Sequence, residues 1–337
     1  MRFPVHIATD MVRWQVRNAL ARRRRYPFVL MLEPLYTCNL ACLGCALERH
    51  TGKLKDRLPL EACFEAADAC GAPAVSICGG EPTLYPELPA LIAGIIERKR
   101  HIYLCTNALL LDTKVFGIIP PHRRLSVNVH LDGLRETHDR VCARDGVFDK
   151  AIEGIREAKA RGVRVTAEAC PHHFSLTDEA VIGFATNAKM NPPLRTRADV
   201  EAVIEGLADG TIDAIATDHA PHATEEKSWP IDQAPCGIIG LETALPLALA
   251  LVAAGRLSLP HLIRLLTIQP AALIKSDRGS LSVGAVADVT ILDPSKQWVV
   301  EPAEFRSKSR NTPFAGWKMT GRVVSTLVAG KVVYADQ

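Results

Sequence analysis

Short apolar runs of strand length alternate, along the first half of the chain, with segments whose apolar residues recur at helical spacing. Residues 28–35 (FVLMLEPL) form the first run, 60–70 a helix, and 74–78 (AVSIC) a second run that ends on two glycines. Residues 88–99 again carry the helical period, 102–106 a third run, 125–129 or 130 a fourth, and 148–160 a helix with its charges on one face, closed by Gly162. Near-continuous apolar strands separated by helices predict a parallel sheet buried on both faces. Residues 163–169 and 212–217 (IDAIAT) predict a fifth and a sixth strand, with a helix over 198–207 between them. The expected fold is therefore α/β, a (β/α) barrel of about six strands whose chemistry sits at the C-terminal rim. Cys38, Gly79, Thr106, His130, His172 and Asp218 all fall at such strand ends. Two helices follow, over 242–254 and 259–266, and then β character over 287–292 and 323–334, which predicts a small C-terminal β appendage.

Composition narrows the class. A chain of 337 residues with 48% hydrophobic and 23% charged residues is that of an ordinary folded enzyme, and 5% aromatics leave the core aliphatic. A net charge of +3 is too small to predict a nucleic-acid partner. The start, Met1-Arg2-Phe3-Pro4, has no apolar export signal, and no run reaches the ~18 apolar residues needed to span a bilayer. A cytoplasmic location is the expectation, and in that reducing compartment ten cysteines point to metal binding or catalysis rather than disulfides. Residues 1–25 end in a basic helix carrying Arg13, Arg17 and Arg22 to Arg25 beside Val12, Trp14, Val16, Ala19 and Leu20. Such a helix either packs, solvated, against the domain or lies on an anionic membrane surface, here the inner face.

The cysteine loop after the first strand reads Cys38-x3-Cys42-x2-Cys45, and Gly79-Gly80-Glu81-Pro82 follows the second strand. Three thiolates can bind three irons of a 4Fe-4S cubane and leave the fourth iron open. That iron can chelate the amino and carboxylate groups of S-adenosylmethionine (SAM) and pass it an electron, cleaving it to a 5′-deoxyadenosyl radical. The glycines let backbone approach a ligand, and backbone carbonyls there can receive the SAM ammonium. Gly79, Gly80, Glu81, Pro82, Thr106, Asn107 and His130 are the candidate cofactor-binding residues. Zinc is the alternative occupant of the cysteines, with Cys63 or His50 as a fourth ligand, although x3-x2 spacing is unusual for zinc knuckles.

The strings YPFVLMLEPLYTCNLACLGC, CGAPAVSICGGEP, YLCTNALLL, VHLDG and DGVFDKAIEGIREAKARG make residues 26–162 resemble the radical SAM enzymes of hopanoid biosynthesis, the adenosylhopane synthase type. Gly44, where most radical SAM proteins place an aromatic, agrees with that subfamily. The resemblance implies addition of the adenosyl radical to an alkene of a hopene, a lipid substrate, with an electron donor such as a flavodoxin or ferredoxin. It also implies that Cys105 donates a hydrogen atom to the carbon radical left after addition; simple packing is the competing reading of that cysteine.

From residue 163 the resemblance changes. VTAEACPHH, NAKMNPPLRTRADVEAVIEGLADGTIDAIATDHAPHATEEK, APCGIIGLETALPLALA and SKSRNTPFAGWKMTGRVVSTLVAGKVV look like the C-terminal half of bacterial dihydroorotases, metal-dependent amidohydrolases that interconvert carbamoyl-aspartate and dihydroorotate. The resemblance implies a catalytic acid/base and metal ligand in Asp218, substrate-binding residues in Asn191 and His222, and a backbone contact from the Pro235-x-Gly237 loop. A His-x-His pair, which an amidohydrolase metal site needs, occurs nowhere in the sequence, and one aspartate without imidazoles cannot hold a hydrolytic zinc pair. A new site from His130, His172, Asp218 and His222 would need all four to face one rim; inherited scaffold is the other reading. The organisation implied is a basic helix over 1–25, a radical SAM half-barrel over 26–162, a dihydroorotase-like barrel half over 163–280 and a β segment over 281–337, joined near 159–166 (KARGVRVT). Helix, small-residue turn and strand are expected on both sides of that seam, so a hybrid barrel is locally consistent. Helices not shaped for one another, and exposed edges in the tail, predict marginal stability or aggregation. Three readings result: a radical SAM enzyme, a dihydroorotase-like hydrolase and a fusion without function. The intact cluster motifs favour the first.

Overall fold

The computed structural model describes residues 14, 17–18, 20–23, 26–43, 45, 52–117, 119–161, 165–273, 276 and 278–336. These residues divide into two compact units, one ending at Val165 and one beginning at Thr166. Gly162 and most of the basic N-terminal helix lie outside the described residues. Of that helix, Trp14 rests on Tyr26 and Phe28 with ring centroids 4.7 Å away, and its Nε1 donates to Gly71 O at 2.8 Å.

In the first unit β1 (Val29–Leu32), β2 (Ala74–Ile77), β3 (His101–Thr106) and β4 (Leu125–Val129) form a parallel sheet in sequence order. The helices are α1 (Leu60–Cys70), α2 (Leu88–Glu97), α3 (Arg135–Val141) and α4 (Val147–Ala160). α1 stops because Gly71 takes φ +66°, returning its N–H to Ala67 O at 3.1 Å. The register places Leu30, Val75, Ile102 and Leu125, then Leu32, Ile77, Leu104 and Val127, in rows across one face. These rows share a core with Leu91, Ile92 and Ile95 of α2. On the opposite face Ala74, Ser76 and His101 are buried, but the remainder departs from the expectation of burial on both sides. Met31 is 64% and Tyr103 48% exposed, and Ser126 and Asn128 are exposed with them. Uniformly apolar runs do not distinguish one covered face from two; alternate polar positions on β4 carry the difference.

In the second unit β5 (Glu168–Ala169) and β6 (Ala214–Ile215) pair in parallel, and α5 (Arg197–Asp209) connects them. α5 opens on a capping box between Thr196 and Asp199 and closes on Gly210 at φ +83°. The expected fifth and sixth strands are thus reduced to two residues each. They are hydrogen-bonded apart from the four-stranded sheet, so the described strands do not form one six-stranded ladder. A strand lasts only as long as its partner continues, and Asp213 already diverts the Ala167 N–H to its carboxylate at 2.9 Å. Helices α6 (Thr224–Lys227), α7 (Ala244–Ala253), α8 (Leu259–Leu266) and α9 (Ile268–Leu273) follow.

The tail holds three antiparallel strands rather than two: β7 (Val289–Val299), β8 (Lys318–Val328) and β9 (Lys331–Ala335). The expected single segment over 323–334 is broken at Ala329 and Gly330, both at positive φ (49° and 78°), the conformation that reverses a hairpin within two residues. Val300, Phe314 and Met319 join Leu249 of α7 and Leu262 and Leu265 of α8 in one core. A Cβ at Gly321 would lie 2.2 Å from Leu249 Cδ1, so β8 meets α7 at glycine.

Candidate functional site

The cysteine loop leaves β1 and is spliced by backbone to the segment that leaves β2. Cys78 N–H donates to Leu32 O at 2.9 Å, Gly80 N–H to Leu35 O at 3.0 Å, and Glu81 N–H to Thr37 O at 2.9 Å. This contact needs glycine, since a Cβ at Gly79 would fall 2.4 Å from Leu35 O and one at Gly80 2.1 Å from Thr37 O. Glu81 is 1% exposed. Its carboxyl accepts from Thr83 N (3.0 Å), Thr83 Oγ1 (2.6 Å), Thr106 Oγ1 (2.8 Å) and Asn107 N (2.9 Å). Glu81 and Thr106 thus spend their side chains in tying the end of β2 to the end of β3. Asn107 reaches on to the loop, donating from Nδ2 to Asn39 Oδ1 at 2.7 Å and lying 3.9 Å from Cys38 Sγ.

Cys38, Cys42 and Cys45 are free thiols, the first two half-buried and the third exposed. Burial raises the Cys38 thiol above its ordinary range, whereas a hydrogen bond from Cys142 lowers Cys42. The three sulfurs do not converge within the 4.8 Å spacing of a single-ion site. Cys105 lies on the partly open face of the sheet, 3.7 Å from Ser76 Oγ. His130, past the end of β4, is 52% exposed and pairs with Asp132 at 3.2 Å. Asp132, His138 and Cys142 form a fully buried cluster beside the loop, joined by Asp132 N–H to His138 Nδ1 (3.1 Å) and by Leu43 N–H to Val141 O (2.7 Å). The sequence alone gave no reason to single out that cluster, because its members meet only when α3 packs on the cysteine loop.

The second unit carries the other candidates. Asp218 is exposed after β6 at φ +47°. His222 accepts no charge partner closer than Glu226 at 3.9 Å, and its Nε2 donates to Cys236 O at 2.8 Å. Asn191 is exposed beside a cis bond to Pro192. The Pro235 to Gly237 loop is pinned by Lys227 Nζ, which donates to Pro235 O (2.9 Å) and Gly237 O (3.2 Å). Asn311, 4% exposed, was missed by the sequence reading. Its Nδ2 donates to Ala220 O (2.9 Å) and Gly237 O (3.1 Å), fastening the Asp218 loop to the Gly237 loop. Among the described residues Cys170, His172 and His173 form a further cluster just after β5. Burial holds the His172 imidazole down at about 3 and pushes the Cys170 thiol up to about 12, with the Asp218 charge adding to the latter. His172 therefore joins Cys170 and His173. His130 belongs to the first unit and is paired there with Asp132.

Two family models match the chain: the Radical SAM superfamily over residues 32–185 and the Amidohydrolase family over residues 153–334. The second covers more than half of the sequence, and the chain belongs to the amidohydrolase family. The particular relatives are dihydroorotases. That of Geobacter sp. (strain M21) is 62% identical over 180 residues, 53% of this chain and 42% of its own length. That of Citrifermentans bemidjiense is 63% identical over the same shares, and that of Syntrophus aciditrophicus 54% identical over 55% of this chain and 44% of its own. The chain thus spans about two fifths of the length of these relatives. L-Hydantoinase (dihydropyrimidinase) from Arthrobacter aurescens superposes with a TM-score of 0.55 at 22% identity, covering 96% of this chain and 67% of its own. The dihydropyrimidinase of Brevibacillus agri NCHU1002 gives 0.54 at 17% identity, covering 96% and 66%. At these identities the likeness is one of fold. Among the described residues no helix is long and apolar enough to cross a membrane.

Proposed function

We propose that the chain is a radical SAM enzyme, its first unit holding a 4Fe-4S cluster on Cys38, Cys42 and Cys45. The observation that carries this reading is the backbone splice between the cysteine loop and Gly79 to Glu81, in which a methyl group on either glycine has no room. When bound, such a cluster supplies the electron that cleaves SAM. Backbone carbonyls of Gly79 to Pro82 receive the SAM amino group, and the Glu81 carboxyl keeps that segment aligned with Thr106 and Asn107. The Cys105 S–H lies on the partly open sheet face and would give its hydrogen atom to the carbon radical left after adenosyl addition, the thiyl radical so formed being returned to the thiol by one electron from the external donor and one proton from solvent. By the resemblance of residues 26–162 the substrate is a hopene, and a flavodoxin or ferredoxin supplies the reducing electron.

A dihydroorotase-like hydrolysis is the second reading, favoured by the 62% identity of the matched half. The residues present do not fit the zinc pair it requires. No His-x-His stands in the sequence, and no imidazole joins Asp218 in a ligand cluster among the described residues. Anaerobic reconstitution of the full chain with iron and sulfide separates the two. The radical reading expects cluster absorbance and reductant-dependent 5′-deoxyadenosine, both lost in Cys38→Ala/Cys42→Ala/Cys45→Ala. Wild-type protein without the chromophore, or turnover of carbamoyl-aspartate with zinc bound, would overturn it.

A further inference from the structure

Cys170, His172 and His173 occupy the short turn that leaves β5, and each offers one ligand atom within 4.8 Å of the other two. Neither function considered above gives them a task. His172 is 3% exposed, and its Nε2 is buried without a hydrogen-bond partner. A buried polar atom left so is destabilising, and in a native fold such a group calls for an ion or other partner. His173 is already oriented. Its Nε2 sits 3.0 Å from Pro192 O, and because a carbonyl only accepts, Nε2 carries the hydrogen and Nδ1 keeps its lone pair. Metal-binding imidazoles are commonly fixed in this way, by donating their second nitrogen to a carbonyl. The rings of His172 and His173 meet edge to face at 4.3 Å, so the pair presents two nitrogens beside one sulfur.

We propose that Cys170, His172 and His173 form a Cys-His-His site for a divalent cation of the zinc class, separate from the cysteine loop of the first unit. Mixed thiolate and imidazole donors suit zinc rather than magnesium or calcium. A tetrahedral zinc with Zn–S about 2.3 Å and Zn–N about 2.0 Å sets its ligand atoms roughly 3.3–3.7 Å apart. In the structure the three ligand atoms lie within 4.8 Å of one another, so binding draws them together by about an ångström. Binding breaks the Cys170 S–H bond, forms a sulfur–metal bond and releases one proton to solvent. The fourth position falls to water.

Cobalt(II) is the probe, and the full chain carrying Cys38→Ala/Cys42→Ala/Cys45→Ala removes the first unit's thiolates from the measurement. This chain is expected to bind one cobalt, with a thiolate-to-cobalt absorption band. Adding Cys170→Ser abolishes the band, adding His172→Gln weakens affinity at least tenfold, and adding Cys142→Ser, in the other buried cluster, changes neither. No bound cobalt, or a band that persists with Cys170→Ser, overturns the site. Should the triple variant lose its far-ultraviolet dichroism, zinc per chain decides by equilibrium dialysis. Cys170→Ser and His172→Gln are each expected to hold one zinc fewer than wild type, and equal counts overturn the proposal.

Discussion

Gly80 shows how much a single position can fix. Its neighbour across the splice is backbone, Thr37 O, which cannot turn aside as the end of a flexible side chain would. Overpacking of this kind costs about 1–3 kcal/mol, and here the displacement opens the contact between the cysteine loop and the end of β2. Gly80→Ala is therefore expected to bind less than half the wild-type iron per chain after identical reconstitution. Wild-type iron content in that variant would show the splice to be dispensable. The Gly-Gly-Glu-Pro string was legible as a motif, but the work of Glu81 was not. Its partners Thr106 and Asn107 stand 25 and 26 residues away, and only the pairing of β2 with β3 brings them to its carboxyl.

At the scale of elements, the β8–β9 hairpin depends on two residues held at positive φ. Ala329 pays the left-handed strain that Gly330 avoids, about 1 kcal/mol for a residue with a Cβ. Its N–H is meanwhile fastened to Asp288 Oδ1 at 2.8 Å, which keeps the turn in place. Ala329→Gly is expected to raise the unfolding free energy from urea melts slightly, by up to about 1 kcal/mol less the entropy of the added glycine, and Gly330→Val to lower it by more than about 1 kcal/mol. Shifts of the same sign would mean that the turn does not govern the hairpin. Helices such as α1 and α8 have the limits their periodicity predicts, 60–70 and 259–266, because a helix closes its hydrogen bonds within itself. Strands have no such independence, and β5 and β6 shrink to what their partners allow.

At the scale of the molecule, the two largest cores draw on different stretches of chain. One gathers residues between Leu32 and Ala151, the other between Ala169 and Met319. Each has a fully buried anchor, Leu91 at 0% exposure in the first and Phe314 at 0% in the second. Two cooperative transitions are expected in urea. Leu91→Ala should shift one by about 2–5 kcal/mol and Phe314→Ala the other by about 3–5 kcal/mol. If both substitutions moved a single shared transition, the units would not be energetically separate. The amidohydrolase family match begins at residue 153, inside α4 and before the division at Val165, so family boundary and structural boundary do not coincide.

The sequence by itself determined the parallel βα order of the first unit, the limits of α1 and α8, the cysteine spacing and the likeness to two families. These are recorded in local periodicity and in strings of adjacent residues. Tertiary structure alone decided that one face of the four-stranded sheet stays partly open, and that six expected strands part into ladders of four and two. It also decided that Glu81 braces the ends of β2 and β3, and that Cys170 and His173 lie close to the buried, unpartnered Nε2-bearing ring of His172. Each of these depends on which distant segment lies opposite. Register and packing settle that, because a hydrogen bond or a shared ion needs its partners within a few ångströms and a one-dimensional pattern carries no such distance.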